Sequence, residues 1–152
     1  MSLANFITPE LITLQVSAQH WEEAVRAGGN LLFNEGLCES RYIDAMVKAI
    51  HDLGPYMVLA PGIALAHARP EDGMCKTGMS FINLAEPVNF GNEENDPVDI
   101  VISFGGVDNN SHLEMLRNLA EFLMIEQHQT FLKATTSKQN LLDFINTEKE
   151  VL

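Results

Sequence analysis

The sequence predicts an α/β fold, a single-domain mixed β-sheet flanked by helices over residues 1–152. Three observations carry this. Short apolar runs such as "LITLQV" and "VDIVISFG" are interleaved with longer stretches whose apolar residues recur at helical spacing. The interleaving departs from the strict strand–helix–strand rhythm of an all-parallel sheet, so both strand directions are expected. No repeat, low-complexity tract or linker interrupts the 152 residues, a length that buries a sizeable core in one unit.

Residues 11–16, "LITLQV", alternate apolar and polar side chains as a half-buried strand does. Ser17 then caps a helix through residues 18–36, with Trp21, Ala24, Val25, Leu31 and Leu32 as a broken apolar face. Gly28 and Gly29 weaken its middle, and Gly36 is its stop. Ser40 begins a second helix, "RYIDAMVKAIHDL", in which Tyr42, Ile43, Met46, Val47 and Ile50 share one face before Gly54-Pro55 ends it. "YMVLA" and "IALA" read as short buried strands parted by the turn pair Pro61-Gly62. "GMSFINLA" and "VDIVISFG" read as two more, separated by the polar loop "EPVNFGNEENDP". "DNNSHLEMLRNLAEFLMIEQ" reads as one helix, opened by a Ser111–Glu114 capping box with Met115, Leu116, Leu119, Phe122 and Leu123 behind it. "SKQNLLDFI" is a short closing helix.

Composition narrows the partners. A net charge of −12 repels phosphate backbones, so no nucleic-acid partner is expected, and it steers encounters with basic proteins. No run approaches the roughly 20 apolar residues of a membrane helix, so no direct membrane insertion is expected. The segment "MSLANFITPE" lacks the basic region and apolar core of a signal peptide, and a soluble, cytoplasmic location follows as the expectation. Cys38 and Cys75 form no CxxC pair and read as free thiols in a reduced compartment.

Five histidines are the chemical candidates. His20, His51 and His128 fall within helices among polar neighbours and read as surface residues. His67 follows a strand, where the scaffold gives way to a loop. His112 follows "FGGVDNNS", in the first turn of a helix, where unpaired N–H groups and the helix dipole favour an anion. Periodicity leaves two readings open: the two imidazoles meet around an anion, or each satisfies a loop carbonyl. The chain has no HxH, HExxH or Cys/His cluster for zinc, no GxSxG elbow, and neither nucleotide-binding glycine motif. No metal and no cofactor are therefore expected. A histidine that itself carries a phosphoryl group needs neither, because neutral imidazole offers a lone pair near pH 7.

The segments "YIDAMVKAI", "PGIALAHARPEDG" and "ISFGGVDNNSHLEMLRNLAEFL" together resemble the enzyme IIA domain of the bacterial phosphotransferase system (PTS), in its mannitol/fructose superfamily. The likeness runs from about Leu11 to the C-terminus. Within that superfamily "GPYMVLAPGIALAHARPEDG" looks most like the ascorbate-specific branch. The resemblance implies a phosphoryl relay. Phosphohistidine on the carrier HPr donates to His67, which passes the group to a cysteine of enzyme IIB, and the membrane component, enzyme IIC, phosphorylates the incoming sugar. On this reading His67 accepts through Nε2 while Nδ1–H is held by a nearby acceptor, and His112 stabilises the phosphoryl oxygens. Arg69 and Ser111 are candidate phosphate-binding residues, Ser111 as a cap first. The chain departs from mannitol and fructose members in two places. Ala68-Arg69-Pro70-Glu71 follows the histidine where they continue with glycine and small polar residues, and Lys48-Ala49-Ile50 stands where they often carry an arginine. Arg69 either replaces that cation or forms a salt bridge with Glu71 or Asp72. The alternatives are a component for another sugar or pentitol, or a phosphorylation-sensing regulatory module.

Overall fold

The computed structural model describes residues 3–148; residues 1–2 and 149–152 of the expected unit lie outside the described residues. Five strands form one sheet in the order β1-β4-β5-β3-β2: β1 Ile12–Val16, β2 Val58–Ala60, β3 Ile63–Ala66, β4 Gly78–Val88 and β5 Val98–Gly105. β1 runs parallel to β4 and β3 parallel to β5, whereas β4–β5 and β2–β3 are antiparallel, so the sheet is mixed. β3 and β5 are buried along almost their whole length, as strands covered on both faces must be.

The helices are α1 Trp21–Asn34, α2 Ser40–Leu53, α3 Asn109–Leu123, α4 Glu126–Ala134 and α5 Lys138–Glu148. Neighbouring residues of β5 show which face each covers. A Cβ on Gly28 of α1 would stand 2.5 Å from Ser103 Oγ, while the ring of Phe104 stacks on His112 of α3. Successive strand residues point to opposite faces, so α1 and α3 cover opposite sides of the sheet. Gly28 is thus a contact surface: its backbone carbonyl accepts a hydrogen bond from Ser80 Oγ at 2.8 Å. Its helix cost is offset by a closeness no side chain would permit.

Five local readings change. β4 runs on through Glu86-Pro87-Val88, the start of the expected polar loop, because Val88 still pairs with Val98 of β5. α1 starts at Trp21 with His20 in the extended cap position, so Ser17 lies too early to cap it. At α3 the cap is Asp108, whose carboxylate accepts from Ser111 N–H at 2.8 Å; Ser111 lies inside the helix and the Ser111–Glu114 box is replaced. An ionised acceptor three residues before Ser111 satisfies the same orphan donor more strongly. The expected single helix from residue 108 to 127 is two, because Ile125 is extended and α4 begins at Glu126. His128 and Gln129 then cap the end of α3: His128 Nδ1–H donates to the Phe122 carbonyl at 2.7 Å and Gln129 Nε2 to the Leu123 carbonyl at 2.7 Å. His128 is accordingly 3% exposed, tilted against Phe122 and edge-on to Phe144, and not a surface residue. His20 and His51 are exposed, as read. Both cysteines are free, Cys38 buried and Cys75 exposed.

Candidate active site

The ladder between β3 and β5 ends at Ala66 and Ser103, and His67 is the next residue on the β3 side. Its half-buried ring is fixed three ways. Nδ1 lies 2.8 Å from the Leu65 carbonyl, the Phe104 ring sits 5.0 Å away at 33°, and Tyr56 approaches edge-on at 6.0 Å. A carbonyl only accepts, so Nδ1 carries the proton and Nε2 keeps its lone pair. Burial pushes the His67 pKa below its ordinary value; the Leu65 hydrogen bond opposes this and the neighbouring His112 adds to it. The ring is neutral near pH 7, the state a nitrogen nucleophile requires.

His112 reaches the same place from the other strand. After Gly105 the chain turns at Gly106 into α3, where a Cβ on Gly106 would meet the His112 backbone nitrogen at 2.3 Å. Only glycine permits that approach. The His112 ring stacks on Phe104 at 5.4 Å and 28°, and its centroid lies 5.4 Å from that of His67. Burial lowers its pKa as well. Its Nδ1 is buried without a hydrogen-bond partner, which leaves Nε2 as the nitrogen available for an external contact. Two neutral imidazoles therefore lean on one phenyl ring.

Both histidines line an open cleft of about 630 Å³, with Lys48, Asp52, Tyr56, Arg69, Asp72 and Asn109 among its walls. Arg69 is 76% exposed and faces Asp72, Nε to Oδ2 at 3.4 Å, so of its two expected carboxylate partners Asp72 is the one engaged. Asp72 also accepts the Arg69 backbone N–H at 3.0 Å, closing the short 3-10 turn Pro70–Asp72. Lys48 pairs with Asp52 one helical turn on. Each cation of the cleft thus carries its own carboxylate, and a dianion would compete with those carboxylates for it. Ser111 donates its N–H to Asp108, while Asn109 joins His112 from that turn in lining the cleft. The sequence marks Phe104 and Tyr56 only as residues of apolar strand segments. The available signal was position: an aromatic immediately before Gly105-Gly106 packs on whatever that turn presents.

A larger cleft of about 810 Å³ lies between residues 17–23 and 85–89. These residues follow the C-terminal end of β1 and surround that of β4, and β4 runs antiparallel to β5, so this cleft is at the opposite end of the sheet from His67. Among the described residues no helix is long and apolar enough to cross a membrane.

The comparisons with known proteins agree with the motif resemblance. The family described as "Phosphoenolpyruvate-dependent sugar phosphotransferase system, EIIA 2" matches residues 5–148. The Ascorbate-specific PTS system EIIA component of Escherichia coli (strain K12) is 40% identical over 136 residues, 89% of this chain and 88% of that protein. The solution structure of the mannitol-specific cryptic phosphotransferase enzyme IIA from Escherichia coli superimposes with a TM-score of 0.88 at 34% identity, covering 97% of this chain and 99% of that one. A complex of enzyme IIAMTL and phosphorylated enzyme IIBMTL from Escherichia coli contains a chain matching with a TM-score of 0.82 at 32% identity, covering 93% and 97%. With the family matched across nearly all the described residues and the mixed sheet shared with solved relatives, this chain belongs to the EIIA 2 family of the phosphoenolpyruvate-dependent sugar phosphotransferase system.

Proposed function

We propose that this protein is the phosphoryl-relay component of an L-ascorbate uptake system, accepting phosphate from phosphorylated HPr on His67 and passing it to a cysteine of enzyme IIB. The observation that carries the site assignment is the His67 tautomer. Nδ1–H is committed to the Leu65 carbonyl, so the lone pair is on Nε2, with a second neutral imidazole 5.4 Å away.

In the first step the Nε2 lone pair attacks phosphorus. The N–P bond to the carrier histidine breaks, and that histidine keeps the electron pair. In the second step the enzyme IIB thiolate attacks phosphorus, the S–P bond forms, and the Nε2–P electrons return to His67. Nδ1–H stays on Leu65 throughout, so no proton has to leave the ring. Nε2–H of His112 donates to the phosphoryl oxygens, aided by the N-terminus of α3. Arg69 exchanges Asp72 for the arriving dianion. Positioning and charge do most of the work in phosphoryl transfer, and the wall of Phe104, Tyr56 and the Leu65 carbonyl supplies the positioning.

Leu53 and Tyr56 line the cleft and are exposed, and Val107 and Leu113, exposed as well, flank the α3 residues Asn109 and His112 in sequence. They offer a modest apolar docking face for partners that must also leave. The 40% identity to the ascorbate-specific relative supports the choice of sugar, as does the segment "HARPEDG", which borders the acceptor and faces the incoming cysteine. On this reading the chain works in the cytoplasm, and enzyme IIC is reached only through enzyme IIB. The test offers the phosphorylated protein to ascorbate-, mannitol- and fructose-type enzyme IIB side by side. Fastest transfer to the ascorbate type is expected. Faster transfer to either of the others would overturn the sugar and leave the relay standing.

A further inference from the structure

Beyond Ala66 and Ser103 no ladder hydrogen bond joins β3 to β5, yet the two arms that carry His67 and His112 start there. One side chain crosses the gap. Tyr42, on the inward face of α2 and fully buried, accepts the Ala68 N–H at 2.9 Å and donates to the Phe104 carbonyl at 2.8 Å. The Ala68 carbonyl, at 3.2 Å, is a longer second acceptor. A Cβ on Gly105 would stand 2.7 Å from the phenol oxygen, so that glycine gives the hydroxyl its access to the strand end.

We propose that Tyr42 is a positioning residue for phosphoryl transfer, its hydroxyl clamping the His67 arm to the His112 arm and setting the separation of the two imidazoles. This rests on the assignment of His67 as acceptor and His112 as its partner. His67 lies between Ala66, the last residue of the ladder, and Ala68, whose N–H the phenol holds, so its backbone is fixed on both sides. On the other arm the phenol holds the carbonyl of Phe104, whose ring supports both imidazoles. Two residues later comes Gly106, pressed against the His112 backbone. A single hydroxyl therefore registers acceptor, stabiliser and the ring beneath them. A phenylalanine fills the same space but leaves the Ala68 N–H and the Phe104 carbonyl to drift apart. In-line transfer is sensitive to that, since a misplacement of about 1 Å costs roughly 10²-fold in rate.

The test is single-turnover transfer from phosphorylated HPr to the full chain carrying Tyr42→Phe, with the folded fraction fixed by near-UV circular dichroism. The maximal rate per folded molecule is expected to fall roughly 10- to 10²-fold. The half-saturating donor concentration should stay within about twofold, because a buried phenol touches no partner. Combined with His112→Ala, the double variant should be at least about threefold faster than the product of the single losses, because part of the Tyr42 effect acts through His112. A merely structural role leaves the rate per folded molecule unchanged. That result, a loss confined to half-saturation, or losses that simply multiply would each overturn the proposal. In the unsubstituted protein the Ala68 amide must resist hydrogen exchange; rapid exchange there defeats the clamp even if Tyr42→Phe fails to fold. His67→Gln keeps the two claims apart. Full-rate uptake by that variant removes the acceptor assignment, whereas an inert His67→Gln beside a full-rate Tyr42→Phe removes only the clamp.

Discussion

Replacing His112 with alanine deletes the imidazole whose centroid lies 5.4 Å from that of His67 and leaves the acceptor's own contacts, the Leu65 carbonyl and Tyr56, in place. A donor aimed at a transition-state oxygen is worth about 10²–10³ in rate. His112 is half-buried at an open cleft, so water takes over part of its role and the loss should fall at the lower end, about 10²-fold. The fold should survive. The stack on Phe104 is worth about 0.5–1.5 kcal/mol. Against it, the variant no longer buries an unpartnered Nδ1, a group whose cost is about 1–3 kcal/mol. The two nearly cancel. Rapid-quench transfer of labelled phosphate from phosphorylated HPr, at saturating donor, measures the effect, and the final stoichiometry should equal that of the unsubstituted protein. Full-speed transfer by His112→Ala would make His112 a loop residue and refute the two-imidazole reasoning.

The other predictions concern pH and charge. Burial holds the His67 pKa below the usual value near 6.5, so the acceptance rate should begin to fall with acid at a lower pH than an ordinary imidazole would set. A rate already halved at about pH 6.5 would contradict a neutral, desolvated acceptor. The same shift has a stability consequence: below about pH 6.5 the unfolded chain binds a proton that the folded His67 resists. The His67 contribution is therefore present above that pH and is lost as the pH falls toward the lowered folded value, so Tm should decline less steeply with acid in His67→Gln. Charge steering is tested by salt. With a net charge of −12, transfer from subsaturating HPr should slow as the Debye length shrinks from ~10 Å at 0.1 M to ~3 Å at 1 M. A rate flat in salt would assign the acidic surface to solubility alone.

The five strands were legible because each is built on an apolar run, although β4 runs past its apolar run through Glu86-Pro87, and Pro61-Gly62 is a turn in the structure, with Gly62 at φ 78°. The break between α3 and α4 was not. Met124 and Ile125 carry no glycine or proline, and the break is secured by the side chains of His128 and Gln129 folding back on the α3 carbonyls. His128 sits between Gln127 and Gln129, so its neighbours disguised its burial. His67 and His112 stood out because each occupies a junction between elements, where rigid backbone presents a side chain. Asp72 lies three residues from Arg69, so that pair was visible too. Tyr42 looked like one more core residue of α2. Its polar partners are 26 and 62 positions away, and no local pattern encodes a hydroxyl that meets two distant backbones.

The central claim is that His67 carries the phosphoryl group on Nε2. Incubation of the full chain with phosphoenolpyruvate and the general phosphotransferase proteins, followed by phosphate analysis of the unsubstituted protein and of His67→Gln, tests it most directly. The account predicts stoichiometric, acid-labile and alkali-stable phosphate on the unsubstituted chain and none on the variant. Uptake by His67→Gln at the unsubstituted rate would contradict it.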